Sequence, residues 1–315
     1  MSLKITRASE PIEVTTITVC LYAVPGVGKT TTAFTAEKPL LLDFDRGSYR
    51  AGNRGDVVQI ERWSDVESIT AADLAAYKTL VVDTAGRALD CLTAEIIAGN
   101  PKMGRGGSLS LQGYGELKSR FISWAKLIRS FGLDVVLLAH SDEQRSGDEL
   151  IERLDMQGGS KNEVYKASDV MGRIYLAQGA RTLNLSPSDT AFGKNPAQLA
   201  PMGIPDYAAE PAFLAGVIAQ TKAALNRLSA VQAKAASALT EWQERIAKAL
   251  SLTDFDALLP LAKDADPAVR DNVKRMIVKA AKARGFAFSK ATGAFDLAPA
   301  AAEKTMASEK GSKAA

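Results

Sequence analysis

The chain has 315 residues, 46% of them hydrophobic and 24% charged, with 24 Gly and 12 Pro. That balance excludes a wholly disordered chain, a collagen-like repeat and a disulfide-stapled miniprotein. The net charge of +3, from 39 basic and 36 acidic residues, is too even to announce a nucleic-acid partner, and a single His excludes a multi-histidine metal site.

The N-terminal stretch MSLKITRASEPIEVTT lacks the apolar core and cleavage site of a signal peptide. Short apolar runs then alternate with helical patterns up to about residue 212. Strands are expected at Ile17–Tyr22, Leu40–Asp43, Val57–Ile60, Leu80–Asp83 and Val135–Ala139. Most of these do not alternate apolar with polar residues, as expected of parallel strands covered on both faces. Helices are expected at Thr30–Ala36 and Tyr114–Phe131, and Arg173–Ala177 with Thr182–Leu185 reads as a hairpin around Gln178, Gly179 and Ala180. This order predicts an α/β fold with a mostly parallel central sheet. Cys20 lies in the run ITVCLY and Cys91 in a helical stretch; with no CxxC pair, both read as core thiols, as suits a reducing cytoplasm.

Residues 186 to 212 contain Pro187, Pro196, Pro201, Pro205 and Pro211 and read as a surface connection. The composition then shifts to Ala, Lys, Leu and Glu. Phe213–Ser251 reads as one long helix or a helical hairpin, and Pro267–Arg284 as a second helix. Phe286 and Phe288, then Phe295 and Leu297 across a Gly-containing turn, predict a small β-hairpin. The expected division is a core over 1–212, a helical accessory region over 213–297 and a disordered tail over 298–315. No run approaches the roughly 20 apolar residues that cross a bilayer, so a cytoplasmic protein with no membrane partner is expected.

The strongest motif is Ala23-Val24-Pro25-Gly26-Val27-Gly28-Lys29-Thr30, placed after a strand and before a helix. Gly26 and Gly28 let backbone N–H groups turn inward around phosphate oxygens. The following helix offers free donors and its dipole to the same anion. Pro25 to Thr31 are therefore expected to bind nucleotide, with Lys29 on the β and γ phosphates and the Thr30 hydroxyl on Mg2+. Thr79-Leu-Val-Val-Asp83-Thr84 has the Walker B form, an apolar strand ending in a carboxylate that holds the same ion. Pro39-Leu-Leu-Leu-Asp43-Phe44-Asp45 also ends in carboxylates. On regular extended chain, Asp43 and Asp45 share one face, and one of them could orient the attacking water. His140 follows Val135–Ala139 at another strand end, within reach of a γ phosphate. Strand ends of this kind line one crevice in open α/β sheets.

Two polar segments read as loops flanking that crevice. Gly99–Ser110 is Gly-rich and carries Lys102 and Arg105; Ser141–Lys166 carries Arg145, Lys161 and Lys166. Backbone N–H groups and cations in such loops can follow a nucleic-acid backbone.

The order of these motifs resembles the RecA-like ATPase core, above all the short phage-encoded RecA-like single-strand annealing ATPases. The resemblance covers residues 12 to 212 and is weaker beyond. It implies a P-loop ATPase with Lys29, Asp45, Asp83 and His140 as its catalytic set. Asp45 stands where the family usually has a Glu that polarises water, and its arm is shorter by one C–C bond, about 1.5 Å. His140 stands at the γ-phosphate sensor, where RecA carries an amide. The segments bearing Lys102, Arg105, Arg145, Lys161 and Lys166 match the two DNA-binding loops in position. The resemblance further implies single-stranded DNA as partner, a homo-oligomer and a single-strand-binding or replication protein nearby. Only some 16 residues precede the first strand, short of the helix and strand by which RecA docks on its neighbour.

The expected function is thus an ATP- and Mg2+-dependent DNA-binding ATPase of phage recombination, acting by single-strand annealing in the host cytoplasm. A helicase loader or helicase-like motor is the alternative within the superfamily. A regulatory module that switches a protein contact without DNA is the alternative outside it. Charge is also unevenly spread: residues 1–220 sum to −3 and residues 221–315 to +6. That basic excess offers a nonspecific grip on DNA if it gathers on one face.

Overall fold

The computed structural model describes residues 3–146, 149–156 and 160–298, the side chains of 144–150 and 160 excepted. The tail expected to be disordered lies outside the described residues from 299 onward. The chain divides into two units, one made of residues 14–225 and one of residues 1–13 with 226–315. The division falls inside a helix rather than at residue 212, because the first turns of that helix share the core of the α/β unit.

In the α/β unit, β1 (Thr18–Ala23) leads through the phosphate loop into α1 (Lys29–Ala33), then β2 (Pro39–Asp43) and β3 (Asp56–Gln59). After α2 (Ser64–Glu67) come β4 (Thr79–Asp83) and α3 (Ala85–Gly99). A two-residue ladder of β5 (Gly104–Arg105) with β6 (Ser108–Leu109) precedes α4 (Leu111–Ser130). Then follow β7 (Asp134–Ser146), β8 (Glu149–Leu154), α5 (Ser160–Ala167), β9 (Val170–Ala177), β10 (Ala180–Asn184) and β11 (Met202–Gly203). The strands lie in the order β11-β10-β9-β1-β7-β4-β2-β3, and β8 pairs with β7 beside this path. Every pair from β9 to β3 is parallel, whereas β10 and β11 add antiparallel strands at one edge. The fold is α/β with a mostly parallel sheet, as the non-alternating runs predict.

Those runs lack alternation because both faces are covered. Cys20, Tyr22, Leu40, Leu42, Leu80, Val82, Val135 and Leu137 point to one face, under Leu89, Leu92, Leu117 and Phe121 of α3 and α4. Val19, Leu21, Leu41, Val81, Val136 and Leu138 point to the other, with Ala33 of α1 and Phe213, Leu214, Val217 and Ile218. These last four begin α6 (Phe213–Lys248). Cys20 is fully buried, and burial pushes its thiol up to about 12. Cys91 is half-buried and packs against the rim of the same core.

The other unit holds the remainder of α6, then α7 (Leu252–Lys263), α8 (Arg270–Ala283) and a hairpin of β12 (Phe286–Ser289) with β13 (Ala294–Leu297). Trp242, Ile246, Phe255, Val273, Ile277 and Phe295 form its separate core. α7 has no counterpart among the sequence expectations. Its signal is Ser251-Leu-Thr-Asp254, a reciprocal capping box in which Ser251 Oγ accepts from Asp254 N and Asp254 accepts from Ser251 N. Among the described residues, no helix is long and apolar enough to cross a membrane.

Candidate active site

The phosphate loop joins the carboxyl end of β1 to α1. Gly26 and Gly28 adopt φ of +84° and +92°, in the left-handed region that L side chains disfavour. A Cβ at Gly26 would meet nothing within 4 Å, so the concavity of the loop is open.

Lys29 is buried, and its amine is fully spent on local acceptors. Nζ donates to Ala23 O at 3.0 Å and to Val24 O at 3.1 Å, and stands 3.1 Å from His140 Nδ1. An ammonium can only donate, so Nδ1 accepts and the imidazole proton sits on Nε2. Burial pulls Lys29 down to about 8, against the opposing pull of Asp83 and Asp45. Burial, then the Lys29 charge, also hold His140 below its ordinary range. Desolvation alone lowers Lys29, whereas His140 is lowered by desolvation and then by the neighbouring ammonium.

Thr30 Oγ1 donates to Asp83 Oδ2 at 2.7 Å. Burial drives Asp83 up to about 6, the Thr30 bond opposes it, and Asp43 and Asp45 add repulsion. A hydroxyl and a carboxylate thus converge beside the loop, and both are hard oxygen donors.

The two carboxylates of the second strand end do not share a face. β2 stops at Asp43, because Phe44 N and Asp45 N both turn to donate to Asp83 O, at 2.8 and 3.2 Å. Asp43 is fully buried and accepts from Gly47 N at 3.1 Å and Ser48 N at 3.0 Å, which commits it to holding the turn. Asp45 is 27% exposed, with Arg87 Nε 3.5 Å and Arg50 Nη2 3.7 Å away. Of the pair, Asp45 is the exposed one, flanked by two guanidinium groups rather than sealed under backbone donors.

His140 is not the last residue of its strand. Its Cα is in register with Ala23, the last residue of β1, and β7 then continues past the sheet edge to pair with β8 from Ser141↔Leu154 to Ser146↔Glu149. Ser141–Lys166 is therefore a hairpin followed by α5, not a loop. LeuIleGluArgLeu and the Gly147-Asp148 pair in the sequence are its signals, though the latter two residues lie outside the described ones. Asp155 N donates to His140 O at 2.9 Å, so the base of the hairpin closes on the same residue that touches Lys29. Thr84, Gly86, Arg87, Asp90, His140, Asp155 and Met156 line a cavity of about 270 Å3 there.

The expected DNA-contacting cations are dispersed. Lys102 sits in a short 3-10 turn, and Arg105 in the β5–β6 ladder with Gly106 and Gly107 at positive φ. Lys161 and Lys166 lie on α5, where Lys166 pairs with Glu163 at 3.3 Å. The side chain of Arg145 lies outside those described. Of these segments, the hairpin that begins at His140 is continuous with the phosphate-loop end of the sheet; neither Lys102 nor Arg105 lines the cavity at His140. Sequence reasoning missed Arg87 and Asp155, which face the same cavity, and Arg181, whose guanidinium lies against Gly28. No motif announces these three; the folded chain sets Arg87 and Asp155 at the cavity beside His140 and Arg181 at the loop.

The family model for the AAA domain matches residues 15–197, more than half of the chain. Similar solved structures include a KaiC-like protein of the hyperthermophilic archaeon Pyrococcus horikoshii OT3, 13% identical, covering 53% of this chain and 76% of that one at a TM-score of 0.33. Another is a prototypical ATPase from the type III secretion system of pathogenic bacteria, 12% identical, covering 50% of this chain and 51% of that one at a TM-score of 0.33. No curated protein matches the chain. The phosphate loop at the end of β1 is thus part of a matched domain, and the chain belongs to the AAA domain family as an ATP-hydrolysing P-loop enzyme.

Proposed function

We propose that this ATPase binds single-stranded DNA and couples that binding to Mg-ATP, in phage recombination of the single-strand annealing kind. The observation that carries the reading is the contact of Lys29 with His140 at the root of the β7–β8 hairpin. A nucleotide phosphate competes with His140 for the Lys29 amine. Occupation of the loop then changes the partner of His140, and with it the base of the hairpin. A two-state element biased by a γ phosphate is a common form of nucleotide switch.

In this reading the Gly26–Thr31 backbone and Lys29 bind the phosphates. Thr30 and Asp83 fit a divalent cation, as a hydroxyl and a carboxylate 2.7 Å apart. When bound, Mg2+ supplies neutralisation of the developing phosphate charge. Asp45 orients the attacking water, while Asp43 holds the turn that presents it. Arg87 fixes the Asp45 carboxylate from the first turn of α3. His140, neutral and protonated on Nε2, reads the terminal phosphate. Lys161, Lys166 and Arg145, beyond the hairpin root, and Lys102 and Arg105 supply cations for the DNA backbone. The protein acts as a homo-oligomer alongside a single-strand-binding or replication protein.

The deciding experiment is single-stranded DNA affinity with and without a non-hydrolysable ATP analogue. Tighter binding with the analogue is expected, and equal, negligible binding in both would overturn the DNA role. Lys29→Ala is expected to abolish ATP turnover; unchanged turnover would refute the site. A switched protein contact made by the unit holding α7 and α8 is the second reading, favoured by that unit's separate core. DNA-stimulated ATP hydrolysis would exclude it.

A further inference from the structure

The β9–β10 hairpin brings a cation to the phosphate loop from the side opposite His140. β9 pairs with β1 only as far as Tyr22↔Arg173, so Ile174–Ala177 run on past that pairing. Gln178 and Gly179 turn the chain with φ of +51° and +81°, and β10 returns with Arg181 opposite Leu176. The crest of this hairpin therefore rises beside the phosphate loop, two strands away from β7.

Arg181 is held there at its backbone and at its tip. Its carbonyl accepts from Ile204 N at 2.8 Å, and Nη2 donates to Pro205 O at 3.1 Å. The guanidinium then lies against Gly28: a Cβ on that glycine would stand 2.8 Å from Nη1 and 3.8 Å from Cδ. Nη1 and Nε have no acceptor, and the guanidinium no carboxylate, among the described residues. A planar cation with unspent donors, anchored over the backbone of a phosphate loop, is built for an anionic ligand.

Its side of the loop tells which part of the ligand it meets. Lys29, Asp83, Asp45 and His140, the groups suited to the bond that breaks, gather on the β7 and β4 side. A polyphosphate chain laid across the loop with its terminal phosphate there has its nucleoside end toward β9 and β10. We propose that Arg181 is a nucleotide-binding residue that holds the α-phosphate, acting within the same chain as the loop. This assignment rests on the reading of the loop as the ATP site.

The test is the affinity for ATP and for ADP of the full chain and of Arg181→Ala, Arg181→Lys and Lys29→Ala, with melting temperatures measured without nucleotide. Loss of one charge-assisted hydrogen bond is expected to weaken ATP and ADP alike, by about tenfold, in Arg181→Ala. Arg181→Lys is expected to recover part of that loss, since it keeps the charge and not the fork. Wild-type affinities in a normally melting Arg181→Ala would overturn the assignment, as would a loss confined to ATP, which puts the guanidinium at the terminal phosphate. Should Arg181→Ala melt early, Arg181→Lys carries the test and must weaken ATP and ADP equally. If Lys29→Ala binds both nucleotides normally, the ATP site itself is misread. If Lys29→Ala fails while Arg181→Ala succeeds, only the Arg181 assignment falls.

Discussion

At the scale of single residues, the two carboxylates Asp43 and Asp45 show how one sequence pattern can hide two roles. Both sit at one strand end, yet Asp43 is sealed under two backbone N–H groups and Asp45 looks outward. Removing Asp43 leaves those donors buried and unpaired, so Asp43→Ala is expected to cost about 2 to 3 kcal/mol of stability in urea unfolding. Asp45→Asn keeps the shape and removes the base. It is expected to melt normally and bind ATP while turnover falls about a hundredfold. A normal turnover in Asp45→Asn would return the water-orienting role to another group. The motif residues Gly26, Gly28, Lys29, Thr30 and Asp83 were legible in sequence because their spacing is set by local chain geometry. Gly28 answers to a second constraint that no spacing reveals, since Arg181 occupies the space a side chain would take.

At the scale of elements, strand periodicity told the buried parallel strands β1, β2, β4 and β7 from the rest, and the helix pattern marked α4 and α6. It failed where an element starts on a cap rather than on a period. α7 opens on the Ser251–Asp254 capping box, directly after α6 ends. Ser251→Ala is expected to cost about 1 kcal/mol, read by thermal unfolding of the full chain. An unchanged midpoint would show that packing of Phe255 and Leu258 alone fixes that helix start. The β7–β8 hairpin escapes the periodicity because its strands are polar, SDEQRS against ELIERL, and polar strands off the core carry little hydrophobic signal.

At the scale of the whole α/β unit, one buried carboxylate links distant parts of the chain. Asp134, at the start of β7, accepts from Ile17 N at 2.9 Å and from Lys222 Nζ of α6 at 2.6 Å. It joins the chain entering the first strand, the strand beside it and the helix that covers them. Breaking such a pair leaves a partly buried ammonium and an orphan amide, so Asp134→Ala is expected to lose about 3 kcal/mol. A loss within experimental error of zero would show that the apolar face of α6, Phe213 to Ile218, holds the helix without it.

The amino-acid sequence by itself determined the phosphate loop, the apolar strands β1, β2, β4 and β7 with the helices α4 and α6, and the acidic strand end at Asp83. Each of these depends on residues near one another in the chain, where φ preference, side-chain period and spacing act directly. Only the tertiary structure decided which carboxylate of the Asp43–Asp45 pair faces outward, that His140 touches Lys29, and that Arg181 reaches Gly28. Those contacts span from 38 to more than 150 residues of sequence. They exist because β4, β7 and β10 bring these residues to one end of the sheet, held there by burial of both sheet faces, which is a property of the folded chain and not of any segment in it.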